Sequence, residues 1–138
     1  MRDISDAADL MATAREALLG ELLPALPEDR RYVARMIANV MAIAAREHRL
    51  GFDAAQSEAA RLRNLLDGIG RPVAPSADPL RADLAPLRAA VRDAIRAGTF
   101  DPPQRADALN AALSHTAADW VTISNPKVLR SEAATPNR

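Results

Sequence analysis

The stretch Arg30-Arg31-Tyr32-Val33-Ala34-Arg35-Met36-Ile37-Ala38-Asn39-Val40-Met41-Ala42-Ile43-Ala44-Ala45-Arg46-Glu47-His48 decides the fold class. It contains neither Pro nor Gly, and its apolar residues Val33, Met36, Ile37, Val40, Met41 and Ala44 recur three and four apart. That spacing puts them on one face of a helix, and no alternation of period two competes with it. Glu28 and Asp29 complement the positive end of a helix dipole. A helix is therefore expected from about Glu28 to Leu50, with Gly51 just past its C-terminus.

Prolines and caps divide the rest. Upstream, Leu10, Met11, Ala14, Leu18 and Leu22 predict a first helix from about Ser5 to Leu23, closed by Pro24 and Pro27. Downstream, Asp53 and Gln56 resemble a capping box that opens a third helix, with Ala59, Leu62, Leu65 and Leu66 on its face. Gly68, Gly70, Pro72, Pro75 and Pro79 mark a loop. A fourth helix carries Leu84, Leu87, Val91 and Ile95 and stops at Gly98. A fifth opens at Asp101-Pro102-Pro103-Gln104, carries Leu109, Ala112, Leu113, Thr116, Trp120 and Ile123, and ends at Asn125-Pro126. Trp120 shares a face with Leu109, Leu113 and Thr116 and is the expected core anchor of that helix. The expected fold is an all-α, single-domain bundle of about five amphipathic helices over residues 1–130, with a disordered polar tail over 131–138.

Composition agrees. Of the 138 residues 49% are hydrophobic but only 3% aromatic, so the core must be built from Leu, Ile, Val, Met and Ala, side chains suited to close helix packing. Eighteen basic and eighteen acidic residues cancel, which argues against a nucleic-acid partner. The absence of Cys excludes disulfides and thiolate metal sites. The first residues carry acids and no apolar run, unlike a signal peptide, and no stretch approaches the ~18 apolar residues of a membrane span. A soluble cytoplasmic protein with no membrane partner is expected.

Candidate chemistry concentrates on the second helix. Arg35, Asn39 and Arg46 fall within about 40° of one another on the helical wheel and form a polar seam. Glu47 lies within the apolar stripe, about 20° from Met36 and Val40. A carboxylate there needs a cation, and Arg15, at the edge of the first helix's apolar face, is the expected structural partner. Alternatively, Arg35, Asn39, Arg46 and Glu47 line a site for an anionic ligand. Arg88, Arg92 and Arg96, with Arg81 on the same strip, form a basic ridge suited to a phosphate or an acidic surface, or to pairing with a neighbouring helix. His48 is expected half-buried at a helix end and His115 on the surface. The two histidines have no ligand spacing and Ser114-His115 forms no triad fragment, so no metal, no cofactor and no catalytic residue is assigned. Gly68-Ile69-Gly70 follows a helix rather than a strand and lacks the third glycine of a nucleotide loop.

Tyr32-x-x-Arg35-x-x-x-Asn39 running on to Arg46-Glu47, with Arg15-Glu16-Ala17-Leu18 before it, resembles a small bacterial family of helical domains of unknown function. Ile95-Arg96-Ala97-Gly98 and Asn125-Pro126-Lys127-Val128-Leu129 extend the resemblance, while His48 and Asp119-Trp120 depart from the family pattern. Members are typically encoded beside aminoglycoside-phosphotransferase-like kinases and acyl-CoA dehydrogenases. The resemblance implies an accessory role in acyl-CoA or phosphotransfer metabolism, with a kinase-like or acyl-CoA dehydrogenase-like protein as partner. The leading expectation is a non-catalytic accessory or interaction domain. An anionic-ligand binder or enzyme using the second-helix seam, and a homo-oligomeric structural protein, are the alternatives.

Overall fold

The computed structural model describes residues 6–75, 77–78 and 83–133, the last three by their backbone alone. Arg81 and Pro79 lie outside the described residues. The elements are α1 (Ala7–Ala17), a π-helical turn (Leu18–Leu22), α2 (Leu23–Ala25), α3 (Glu28–Gly68), α4 (Leu84–Arg96), α5 (Pro103–Ser124) and α6 (Pro126–Ala133). The fold is all-α, with no strand among the described residues.

Local chemistry explains most boundaries. Pro24 has no N–H to give the carbonyl of Gly20, and its ring crowds that carbonyl. The preceding turn widens accordingly, and the Leu23 N–H reaches back five residues to Leu18. Gly70 and Gly98 both take positive φ. Each is followed by an amide that returns to the helix, Arg71 to Leu66 at 2.9 Å and Thr99 to Ala94 at 3.0 Å, the hydrogen bonding of a Schellman stop. Asn125 separates α5 from α6, and Pro126 takes the first helical position, where a missing N–H costs nothing. Helix α6 continues through Ala133, three residues into the stretch expected as tail; 134–138 lie outside the described residues.

One boundary differs. The second and third expected helices are a single helix of 41 residues, and Gly51 lies inside it rather than ending it. A glycine mid-helix costs only about 1 kcal/mol, which packing along a long helix readily offsets. Glu47 occupies the space over Gly51: an added Cβ would sit 2.7 Å from its Oε1. The Asp53–Gln56 box caps nothing, because no helix begins there.

The chain divides into two compact units, residues 1–51 with 123–138, and 52–122. In the second unit Ala59, Leu62, Leu65 and Leu66 of α3 pack with Leu87, Val91 and Ala94 of α4 and with Phe100. Leu109 and Ala112 of α5 close over them. In the first unit α1 lies antiparallel to the first half of α3, since Asp6 and Asp9 meet His48 and Arg49 while Arg15 meets Ala38. On α1 and the first half of α3 the buried hydrophobic residues are all alanines, Ala8, Ala34, Ala38 and Ala45, and the large buried side chain of this unit is Ile123, near the end of α5. Alanine keeps the backbones close, so the large apolar stripe expected to be the buried face points elsewhere.

Candidate functional site

In the first unit that stripe is at the surface. Val33, Met36, Ile37 and Val40 are 46–61% exposed. With Met11, Met41 and Ala44 they line an open groove of about 420 Å³. Every group lining it is an apolar side chain from α1 or α3. Leu10 and Leu22, expected on the buried face of the first helix, are exposed as well.

The expected Arg15–Glu47 salt bridge does not form. Arg15 Nε donates instead to the backbone carbonyl of Ala38 at 3.1 Å, and Glu47 is exposed. The physical reason is the orientation of α3: Glu47 does lie on the apolar stripe, but the stripe faces outward, so its carboxylate stays in water. Glu47→Ala should accordingly change stability by less than about 0.5 kcal/mol, as for other surface substitutions; a thermal melt checks this.

The seam residues separate. Arg35 and Asn39 are exposed. Arg46 Nε donates to the carbonyl of Ile123 at 2.5 Å. That carbonyl belongs to the last turn of α5, and a guanidinium there is favoured by the negative end of the helix dipole and acts as a C-terminal cap. None of Arg35, Asn39, Arg46 and Glu47 lines the apolar groove. His48, expected half-buried, is exposed, and its Nε2 lies 2.7 Å from Asp6 Oδ1. Arg49 pairs with Asp9 at 2.6 Å.

The second unit holds a cluster that reasoning from the sequence missed. Glu58, on α3, is only 4% exposed. Arg88 of α4 grips its carboxylate with both arms of the guanidinium, Nε to Oε1 at 2.5 Å and Nη2 to Oε2 at 2.8 Å. Trp120 Nε1 donates to Oε2 at 2.8 Å. Three donors thus converge on one buried anion, and the cluster ties α3, α4 and α5 together. The Arg88 hydrogen bonds hold the Glu58 carboxyl below its ordinary value of 4.5, outweighing burial, with Trp120 assisting. In return Glu58 raises the affinity of Arg88 for its proton. A carboxylate so stabilised is a weak base, and the arrangement suits a structural clasp better than proton transfer.

The pH dependence follows. A group whose pKa is depressed by folding contributes stability that is complete above its unfolded value and is lost as pH falls from there through its lower folded value. The melting temperature should therefore drop as pH is lowered from about 5. Glu58→Gln should flatten that dependence, and melts of both proteins across the acid range measure it. Identical slopes would contradict the assignment.

The expected basic ridge is only partly free. Arg88 is committed to Glu58, Arg92 Nε lies 3.2 Å from its neighbour Asp93, and Arg96 is exposed. Trp120, expected as the core anchor of α5, is half-buried and donates to Glu58 through its indole N–H. Arg61 of α3 meets Asp119 of α5 at 2.8 Å, and its Nη1 donates to Thr116 Oγ1 at 3.3 Å. His115 is on the surface.

Among the described residues no group of three or more His, Cys, Asp or Glu side chains could hold a metal ion. No helix there is long and apolar enough to cross a membrane. A family model described as Domain of unknown function (DUF6285) matches residues 24–128. No curated protein matches the chain. No solved structure matches it.

Proposed function

This chain belongs to the DUF6285 family of domains of unknown function, and we propose that it is a non-catalytic accessory domain that docks a protein partner through the apolar face of α3. The observation that carries this reading is the exposure of Val33, Met36, Ile37 and Val40 as one contiguous face. A soluble domain has little reason to leave its largest aliphatic side chains in water while burying alanines, unless that face is covered in use. Methionines at the groove, Met11, Met36 and Met41, adapt their shape to a partner at low cost. An amphipathic helix laid into the groove, with anchors one turn apart, is the mode of recognition this surface suits.

The partner class that the resemblance in the motifs implies is a kinase-like or acyl-CoA dehydrogenase-like protein. Affinity capture from the native host, run in parallel with the parent chain and Val40→Glu, tests the reading by mass spectrometry. A protein of that class should be retained by the parent and lost by the variant. Equal recovery by both would overturn the docking face. Recovery of the chain itself alone would replace the partner with a second copy.

A further inference from the structure

We infer that the second unit carries a separate binding site for a small organic anion with an apolar body, in the cavity lined by the end of α3 and the first half of α5. Its volume is about 570 Å³, within the range of sites for small ligands. Leu65 and Phe100, both buried, form an apolar floor with Ile69 beside them. Gly68, Ala108 and Ala112 leave the wall above that floor open, since none has a side chain long enough to fill it.

The polar groups of this cavity share one electrostatic character. Arg61, Arg105 and His115 line it, with Asn64 and Gln104, and no carboxylate does. Arg61 is offset by its ion pair with Asp119, so it offers donors rather than net charge. Arg105 is different. Its Nη1 donates to the carbonyl of Thr99 at 3.3 Å, a neutral acceptor, and it forms no ion pair among the described residues. His115 adds directionality: Nδ1 lies 2.8 Å from the carbonyl of Ala111, and since a carbonyl only accepts, Nδ1 carries the proton. The other ring nitrogen, Nε2, is left for a ligand, accepting when the ring is neutral and donating when it is charged. An anionic head held by Arg105, with an apolar body on Leu65 and Phe100, satisfies both halves of the cavity. A carboxylate and a phosphate meet these donors equally well. The site is independent of the groove in the first unit.

The test is an NMR titration of backbone amides in the full chain with octanoate, octyl phosphate and octanol. Either anion, or both, should shift amides of residues 61–69 and 104–115 saturably, and the tighter of the two identifies the head group. Octanol should bind the same residues about tenfold more weakly, the loss of one charge-assisted contact. Arg105→Ala, at an exposed position, should bring the anions down to octanol's level and leave octanol unchanged. Ala108→Trp should abolish all binding by filling the cavity, with spectral dispersion retained. Equal affinity for octanol and the anions in the parent chain would overturn the proposal. So would shifts confined to residues 33–44, or binding that survives Ala108→Trp.

Discussion

Arg88→Met should destabilise the protein by about 3–5 kcal/mol at neutral pH, more than removal of the carboxylate it holds. The asymmetry comes from burial. The Glu58 side chain is 5% exposed and that of Arg88 54%. Removing Arg88 leaves an anion in a nearly water-free place with Trp120 as its remaining hydrogen-bond donor of the three, so it must either stay ionised unpaired or take up a proton. Removing the charge from Glu58 leaves a guanidinium that water can solvate, and Glu58→Gln should cost only about 1–2 kcal/mol. The cost of Arg88→Met should also shrink below about pH 5, where protonation of Glu58 relieves the unpaired charge. Denaturant titrations of both variants at neutral and acid pH measure this. A smaller loss for Arg88→Met than for Glu58→Gln would show that the clasp is not the buried-anion site described.

Trp120→Ala should cost about 2–3 kcal/mol, less than the roughly 3–5 kcal/mol of a fully buried aromatic, because the side chain is half-buried. Two contributions are combined in that figure, and Trp120→Phe separates them. Phe retains most of the ring's packing but cannot donate to Glu58, so it should cost about 1–2 kcal/mol. In a Glu58→Gln background the same Trp120→Phe change should cost less, because a neutral amide has less need of the donor. A double-mutant cycle should give a coupling of about 0.5–3 kcal/mol between the two positions. Additive effects would reduce Trp120 to a packing residue, as its helical spacing alone suggests.

The sequence was most legible where local chemistry alone acts. Leu87 and Val91 are buried as their spacing predicts, Gly98 ends α4, and Asn125-Pro126 ends α5. Gly51 misled because a glycine can end a helix or be carried through one, and the choice depends on packing that no local window contains. Periodicity identified Val33, Met36, Ile37 and Val40 as one face correctly. It could not tell that the neighbouring alanine face, Ala34, Ala38 and Ala45, is the one covered. The same ambiguity explains the two carboxylates. Glu47 and Glu58 each lie on an apolar stripe, Glu58 with Leu62 and Leu65 four and seven residues on. Only the stripe of Glu58 is covered, so only Glu58 is a buried anion. Applying the rule for Glu47 to every helix would have flagged Glu58. Its partners Arg88 and Trp120 stand 30 and 62 residues away, beyond what spacing on one helix can reveal.

The claim that the outward face of α3 serves recognition is tested most directly by calorimetric titration of the captured partner into three proteins: the parent chain, Val40→Glu and Arg35→Glu. Both substituted positions are exposed on the same helix, and neither should alter the thermal melt by itself. A charge placed in an apolar contact should weaken binding by about a hundredfold or more through Val40→Glu, while Arg35→Glu, on the polar seam, should leave the affinity within a few-fold of the parent. Undiminished binding by Val40→Glu, with binding lost in Arg35→Glu, would contradict the account and move recognition to the seam.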